Sequence, residues 1–560
     1  MHNCFMFFKS LCSKFKFGLW NKLKFSTSSF ALARHEETFQ YSVLTKFNTC
    51  KKFLTWDFQK TSYTADVLEM KKMQHLNCED IANIMWTSKK RGTLSKKLIF
   101  QVDVAVGKKL SIGIVHENDV LPLLQCFASV MPSHVVKTVT YKNAISFLLK
   151  NPPSLLYHKL QAMYYASLAK KKVASRKLVG MLMKKISLEE LLELSTTELG
   201  ILCISLFQSS IPIRDINVLR YFSEKIKTDL LHLIKYESYI FVSFIKCFRY
   251  SRYYDDLFLY ITEIPDELII QMPLISKIHL AVYFSDARYS DIVFVNKLIK
   301  MSLWEINDKL KGCESVRLKD IDNILWCAKQ FSLSEITEEI NKSLIPKYIF
   351  HSANESTKDN LILILNSFLS LWILDCKKEE IISYLTNKNL SVTDVSGNFK
   401  DEARISLLLS CCNIEGEKFL DGKPYFAISK KQEPSISQQL VVRPKFAKVL
   451  QYLLCNGHLF DLHNIQFSYP VPCLYIASVT ALYNGVLISV EVIDEFVCLR
   501  NSQHLHGNMK LKLRLLEKLK IPTFMVNLSG QKATNDVLNG IFEELSHNFA
   551  EIDSSSSSSK

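Results

Sequence analysis

The clearest chemical signal in this chain is a stretch of 69 residues, 120–188, that contains no Asp or Glu. The average acid content, 55 in 560, would place about seven acids there. The stretch holds eleven basic residues: Lys137, Lys142, Lys150, Lys159, Lys170, Lys171, Lys172, Arg176, Lys177, Lys184 and Lys185. Tyr157, Tyr164 and Tyr165 lie among them. This composition predicts a positive surface that neutralises phosphates, with aromatic rings available to stack on unpaired bases.

The residues expected to contact RNA in this stretch are the eight basic ones from Lys159 onward. The alternative is a solvated basic face whose tyrosines belong to the core. A second basic strip lies on a helix that we predict to start near Asn508. We expect Lys510, Lys512 and Arg514 to add a second RNA contact, with Leu511 and Leu515 on the buried side.

The C-terminal part carries a string of motifs that resembles a known domain. The string is Val490-Glu491-Val492, then Asn501-Ser502-Gln503-His504-Leu505-His506-Gly507, then Lys512-Leu513-Arg514-Leu515-Leu516-Glu517-Lys518-Leu519. Over about residues 470–546 it resembles the RAP domain found at the C-terminus of proteins of the FAST kinase domain-containing family. Within that family, it resembles the first and third members more than the others. Helical blocks at 281–350 and 360–445 sit where that family carries its FAST-1 and FAST-2 modules. The resemblance implies a mitochondrial matrix protein that binds organelle RNAs and affects their processing, stability or translation.

RAP domains are similar in fold to PD-(D/E)xK nucleases, so the resemblance also raises hydrolysis. Such a site needs clustered carboxylates for a divalent metal and a Lys beside the attacking water. In this chain the strand position that could supply an acid ahead of Glu491 reads Ile476-Ala477-Ser478, which contains none. Glu491 is followed by Val492 and Ile493, not by the x-Lys of such nucleases. The position where the family has another acid falls near Gly530. One plausible metal carboxylate remains, so we expect no nuclease activity, no catalytic residue and no metal site.

Kinase chemistry has less support still. The sequence contains no Gly-rich phosphate loop and no H-R-D or D-F-G string. Fifteen Cys occur without a CxxC pair, which argues against a zinc or redox motif and suits a reducing compartment. We therefore expect no enzyme activity and no cofactor.

The pattern along the chain predicts a mainly α protein with a small C-terminal α/β domain. From about 60 to 440, apolar residues recur at helical spacing. The string R-Y-x-D-x-x-F occurs at Arg252 and again 36 residues later at Arg288, a spacing typical of helical-hairpin repeats. We expect a helical-repeat array over 60–280. Two apolar strands with an Asn484-Gly485 turn should follow, and residues 551–560 should form a disordered Ser-rich tail.

The N-terminus predicts the compartment. Residues 1–34 carry six basic residues and no acid, with apolar residues on one helical face and serines after it. This is the pattern of a mitochondrial presequence, here residues 1–35; a basic tail on a cytosolic protein is the alternative. Without those six charges, 64 basic residues still face 55 acidic ones. The uncharged stretch 361–374 is too short to span a bilayer and suits a buried helix.

The patterns predict a mitochondrial RNA-binding protein without catalysis, and the family resemblance implies that it lies in the matrix and acts on organelle mRNAs. RNA-processing or translation proteins would be its further partners. A protein-interaction scaffold is the alternative from another class, because helical arrays bind proteins as readily as RNA. A RAP-type endoribonuclease is the third hypothesis.

Overall fold

The computed structural model describes residues 43–47, 52–54, 76–132, 134–332, 334–355, 358–388, 399–416 and 434–557. The predicted presequence, residues 1–35, lies outside them. Within them the protein is mainly helical, with a small four-stranded mixed sheet near the C-terminus. The coarse fold prediction is therefore confirmed.

Helices fill most of the chain between residues 78 and 415. The first ten are α1 (Cys78–Lys90), α2 (Lys96–Ser111), α3 (Val120–Val130), α4 (Val139–Lys150), α5 (Leu156–Ser167), α6 (Val173–Met183), α7 (Leu188–Leu192), α8 (Thr196–Gln208), α9 (Ile216–Tyr236) and α10 (Ser238–Ser251). The next ten are α11 (Leu257–Thr262), α12 (Asp266–Gln271), α13 (Leu274–Ala287), α14 (Ile292–Lys311), α15 (Leu318–Phe331), α16 (Ser334–Lys342), α17 (Ile345–Asn354), α18 (Lys358–Ile373), α19 (Lys378–Asn387) and α20 (Phe399–Glu415). We call α1–α20 the helical region.

Local side chains explain where several helices begin. Ser187 opens α7 and Ser195 opens α8, and each accepts a hydrogen bond from the backbone N–H three residues on. Glu190 and Glu198 bond back to the serine backbone, which completes a capping box at both sites. Each box satisfies two N–H groups that a helix start leaves unpaired.

The helical region is built on one row of helices that pack in chain order. Helix α1 contacts α3, α3 contacts α5, and the series continues through α8, α10, α13, α15, α18 and α20. Outside this row, α2 packs on α4 and α4 packs on α6. The apolar faces form one buried cluster that runs from Val43 into the C-terminal part of the chain. We call these nine helices, α1, α3, α5, α8, α10, α13, α15, α18 and α20, the helix row.

The repeated string R-Y-x-D-x-x-F marks the same turn twice in this row. Arg252 (φ 55°) ends α10 and Arg288 (φ 51°) ends α13, both in the left-handed conformation. An aspartate then accepts from a backbone N–H of the next helix: Asp255 from Leu257 at 3.1 Å, and Asp291 from Phe294 at 2.9 Å. The sequence echo thus corresponds to a recurring helix–turn–helix connection.

The uncharged stretch 361–374 lies mostly in α18, whose Phe368 and Trp372 are buried. The prediction of a buried helix is confirmed. No helix in the described part of the chain combines the length and apolarity that a membrane crossing requires.

A C-terminal α/β unit, residues 436–557, follows. It consists of α21 (Ile436–Val442), α22 (Pro444–Asn456), β1 (Leu462–Ser468), β2 (Ser478–Tyr483), β3 (Val486–Ile493), α23 (Gly507–Lys518), β4 (Thr523–Asn527) and α24 (Asn535–Ser557). The sheet order is β1-β2-β3-β4; the first two pairs are antiparallel, and β3 pairs with β4 in parallel. Asn484 (φ 49°) and Gly485 (φ 79°) form the β2–β3 turn, where positive φ at both positions is the tight turn predicted for Asn-Gly.

The two faces of this sheet have different chemistry. Val479, Val490 and Val492 lie in an apolar cluster that includes residues of α22 and α24. On the other face, four alternate residues are polar yet buried: Ser478, Thr480, Ser489 and Glu491. The apolar residues of α23 belong instead to the cluster of the helical region. Helix α23 therefore lies between the sheet and the helical region.

Several predicted boundaries differ from the structure. The proposed division at residue 281 falls inside α13, and the α/β unit begins before residue 470 because α22 and β1 belong to it. Helix α24 continues to Ser557, so residues 551–557 of the predicted disordered tail are helical. Extending a formed helix by one residue is far less unfavourable in free energy than nucleating a new one. The serines can therefore continue the helix that the preceding apolar residues form.

Candidate nucleic-acid interface

The basic segment, residues 170–185, includes α6 and the turns at both of its ends. Lys171 and Lys172 precede the helix, Arg176 and Lys177 lie on it, and Lys184 and Lys185 follow it. All six are exposed, as is Lys170, which has φ 55°. The predicted surface position is confirmed for these seven residues.

The local fold explains this exposure. Leu178, Val179 and Leu182 are buried on α6, which packs against α4 and α5. An amphipathic helix held by one apolar stripe leaves its remaining positions in solvent. No carboxylate comes within ion-pair distance of the six cations from Lys171 to Lys185 among the described residues.

Lys159 is not part of this surface, although the sequence placed it with the RNA contacts. Its side chain is buried on α5, where Nζ lies 2.8 Å from Glu190 Oε1 and donates to the Lys185 carbonyl at 3.0 Å. Glu190 is the capping residue of α7, so this pair joins two helix ends. The expectation that Lys159 contacts phosphate is corrected: it is a structural ion pair.

The tyrosines of the acid-free stretch are also unsuited to base stacking. Tyr164 and Tyr165 are fully buried; Tyr164 packs edge-on against both Tyr165 and Phe47, and Tyr165 also packs against Phe47. Burial raises the pKa of both phenols well above the ordinary value. Tyr157 is partly buried and accepts from Lys52 at 3.0 Å. For Tyr164 and Tyr165 the alternative, that they belong to the core, is right.

Lys512, the centre of the second basic strip, points into the protein. It is 0% exposed, and its Nζ lies 2.6 Å from Glu491 Oε2 and 2.5 Å from Ser478 Oγ. Burial lowers the pKa of Lys512 to about 8, with the Glu491 charge acting in the opposite direction. Lys512 therefore cannot reach RNA. The helix periodicity did not reveal this, because its partner comes from β3.

Arg514 and Lys510 contact the ends of helices in the helix row. Arg514 donates to the carbonyls of Trp372 and Ile373, the last residues of α18, and lies 2.7 Å from Glu415 Oε1. Lys510 is exposed but donates to the Ser332 carbonyl just after α15, at 3.3 Å. Cations suit these positions because the last carbonyls of a helix have no partner within it. Lys510 and Arg514 thus hold α23 against the helical region, whereas Lys512 holds it against the sheet.

The nuclease question turns on Glu491, and its geometry is that of a closed polar cluster. Ser478 and Ser489 donate to Oε1 at 2.5 and 2.8 Å, and Lys512 occupies Oε2. The carboxylate is 1% exposed. Asp494, which directly follows β3, is held 3.0 Å from the buried guanidinium of Arg443. In the part of the chain that the structure describes, no group of three or more His, Cys, Asp or Glu could hold a metal ion.

One concave site gives no signal in the sequence. A cleft of about 180 Å³ opens on the helix row across α10, α13, α15, α18 and α20. Its charged lining residues are Arg249, Asp286, Asp322, Lys329 and Arg404. They are spread over more than 150 residues of sequence, so no local spacing signals them.

No protein-family model matches the chain, and no curated protein matches it.

Proposed function

We propose that this protein binds RNA in the mitochondrial matrix and acts post-transcriptionally on organelle mRNAs, without catalysing a reaction. The observation that carries the proposal is the basic segment: seven exposed cations within sixteen residues, in a stretch of chain without acids. Phosphate neutralisation by such side chains supplies most of the affinity for nucleic acid that is independent of sequence.

The architecture supports the same proposal. The helix row, its recurring left-handed turns and their echo in sequence fit a helical-repeat array, which offers an extended surface for a long ligand. In the C-terminal α/β unit, the order helix, three antiparallel strands, helix, parallel strand fits the proposed RAP domain and its nuclease-like fold. The Glu491–Lys512 pair supports a non-catalytic role for it.

The compartment and the family rest on sequence alone. The acid-free N-terminus supports import into mitochondria, and the motifs around Glu491 and Gly507 support membership of the FAST kinase domain-containing family. RNA-processing or translation proteins would be the partners to which the bound mRNA is presented.

A protein-interaction scaffold is the second candidate, and one observation favours it. Val173, at the start of α6, is 84% exposed between Lys172 and Arg176, and Leu155 before α5 is exposed as well. Apolar side chains beside cations also occur in protein–protein interfaces. Crosslinking RNA to the protein in intact mitochondria separates the two: no transcript above background would favour the scaffold.

Charge reversal of the basic segment tests RNA binding directly. The test variant carries Lys171→Glu, Lys172→Glu, Arg176→Glu and Lys177→Glu, all at exposed positions. We expect weaker binding of single-stranded RNA and a salt slope that falls by about 3, since each lost phosphate contact removes about 0.7. Fluorescence anisotropy across a salt series measures both.

The matched control reverses four other exposed lysines and changes the net charge equally. It carries Lys311→Glu, Lys342→Glu, Lys347→Glu and Lys388→Glu. The control should bind RNA with nearly the wild-type salt slope. If both variants lost RNA affinity equally, net charge alone would explain the effect. If the test variant bound RNA as the wild type does, the basic segment would not be the RNA-binding surface.

A further inference from the structure

The cleft across the helix row is lined by charged and polar side chains that belong neither to the basic segment nor to the α/β unit. Its walls come from five successive helices of the row, α10, α13, α15, α18 and α20. Its volume of about 180 Å³ equals roughly six waters at about 30 Å³ each. That is too small for a drug-sized ligand, for which pockets begin near 300 Å³. It suits one compact polar group.

We propose that this cleft binds a phosphate monoester, the group carried by an RNA end or by a free nucleotide. The proposal deepens the RNA-binding function and rests on it for the identity of the larger ligand. A monoester is compact, carries nearly two negative charges and offers three oxygens as hydrogen-bond acceptors.

Lys329 is the central cation of the cleft. It belongs to α15 and is 6% exposed, yet among the described residues no carboxylate comes within ion-pair distance of its Nζ. Burial, and then the charge of Arg404, lower its pKa to about 8. The charge of Asp322 acts on Lys329 from beyond ion-pair distance and opposes this lowering. A buried cation with no carboxylate in direct contact is costly, and an anion in the cleft would reduce that cost.

Two arginines complete the positive side. Arg404 of α20 is exposed at the cleft, and no carboxylate pairs with it in the described part of the chain. Arg249 of α10 is held by Asp286 of α13, with Nε 2.7 Å from Oδ2. This pair uses Nε, and Nη1 lies 3.5 Å from His279 Nδ1, so Nη2 keeps its N–H groups for a ligand. Cations therefore line the cleft from three helices.

An unsatisfied amide points to a ligand independently of charge. Asn366 of α18 lines the cleft, is 7% exposed, and its Oδ1 has no hydrogen-bond partner. Buried side-chain amides are nearly always bonded, because an unpaired one loses its hydrogen bonds to water without replacing them. The two ends of an amide can exchange by rotation, so Asn366 can direct its N–H groups to phosphate oxygens.

The carboxylates facing the cleft are compatible with a phosphate. Asp286 is neutralised by Arg249. Asp322 of α15 accepts from Ser367 at 3.5 Å, and burial raises its pKa to about 6. A nearby phosphate would raise that pKa further and favour the protonated acid, which then donates a hydrogen bond. Trp326 lies on the same wall and offers a flat surface to the attached nucleoside.

The test compares one short oligoribonucleotide with a 5′-phosphate, a 3′-phosphate or only hydroxyl ends, alongside free adenosine monophosphate. We expect the full chain to bind one phosphorylated end at least about tenfold more tightly than the hydroxyl form, which corresponds to about 1.4 kcal/mol. Lys329→Met and Arg404→Ala should abolish this preference and leave the affinity for the hydroxyl form unchanged.

Lys311→Met, which removes an exposed lysine outside the cleft, is the control and should keep the preference. Thermal unfolding of Lys329→Met checks its fold, and its Tm should be at least that of the wild type because a buried charge is removed. A lower Tm would show that Lys329 has a structural role and would contradict the proposal.

The outcomes separate this proposal from RNA binding in general. Binding of RNA with no preference for a phosphorylated end would overturn the cleft assignment alone. The charge-reversed basic segment should lose affinity for all three oligonucleotides and retain the ratio between them. Binding of adenosine monophosphate that depends on Lys329, without RNA binding, would keep the cleft and overturn the proposed function. Binding of neither would overturn both.

Discussion

Lys512 shows how burial determines the role of a charged side chain. Its ammonium lies between Glu491 and Ser478, and none of the three is exposed. In sequence, the lysine looks like part of a basic helix surface. Its partner lies 21 residues earlier on a neighbouring strand, so helix periodicity could not place the two together. The exposed cations of the basic segment, by contrast, lie on one amphipathic helix and in the turns at its two ends, so local spacing was enough to predict their exposure.

Removing one member of this pair tests that role. Lys512→Met leaves Glu491 buried without its counter-ion, which should lower the free energy of unfolding by about 3–5 kcal/mol. The double variant with Glu491→Gln should lose less than the single one, because neither charge remains. Urea unfolding measures both.

Lys518→Met provides the control, since Lys518 is exposed on the same helix. It should change the free energy of unfolding by less than about 0.5 kcal/mol. If Lys512→Met also changed the free energy of unfolding by less than about 0.5 kcal/mol, the Lys512–Glu491 pair would contribute nothing to stability.

At the scale of elements, the sequence predicted best those whose periodicity or turn chemistry is local. The buried helix α18 and the Asn484-Gly485 hairpin both follow from a few adjacent residues. Strand β1 lacks a clear apolar signature in the sequence because it lies at the sheet edge, where only one of its seven residues is buried. Its pairing with β2 also contains a bulge between His463 and Gln466, which interrupts alternation.

The approach of α23 to α15 depends on one glycine. A Cβ added at Gly507 would lie 1.8 Å from the Lys329 carbonyl oxygen and 2.9 Å from its carbon. These are backbone atoms, so the helices themselves must move apart. We expect Gly507→Ala to destabilise the protein by about 1–3 kcal/mol, the usual cost of overpacking. Chemical denaturation measures the loss.

Gly540→Ala is the matched control for that variant. Gly540 lies in α24, and a Cβ there would meet nothing within 4 Å. Alanine should leave stability unchanged or raise it by up to about 1 kcal/mol, its advantage over glycine in a helix. Similar behaviour of the two variants would show that α23 does not approach α15 so closely.

For the whole molecule, the arrangement of the two parts was beyond the sequence. The cleft combines residues from Arg249 to Arg404, and the contact between the parts combines α18 and α20 with α23. Such groupings depend on how helices stack, and stacking is decided by many weak apolar contacts spread over the chain. Composition could indicate a basic, helical protein, but only the packing shows which cations are exposed.

The contact between the helical region and the C-terminal α/β unit should make the two unfold together. Met509, Leu515 and Leu516 of α23 belong to the core cluster of the helical region, and Arg514 adds bonds to Glu415 and to the end of α18. A shared core couples two parts because neither can open without exposing apolar surface on the other.

Arg514→Met should weaken this coupling without leaving a buried charge alone, since Trp372 and Lys378 still contact Glu415. We expect amide hydrogens of α23 and β3 to exchange at least about tenfold faster, while those of α5 and α8 stay unchanged. Hydrogen exchange followed by mass spectrometry measures this directly. Lys520→Met, an exposed substitution beyond α23, should leave exchange at the wild-type rate. Unaltered protection of α23 in Arg514→Met would show that the apolar core alone holds the unit in place.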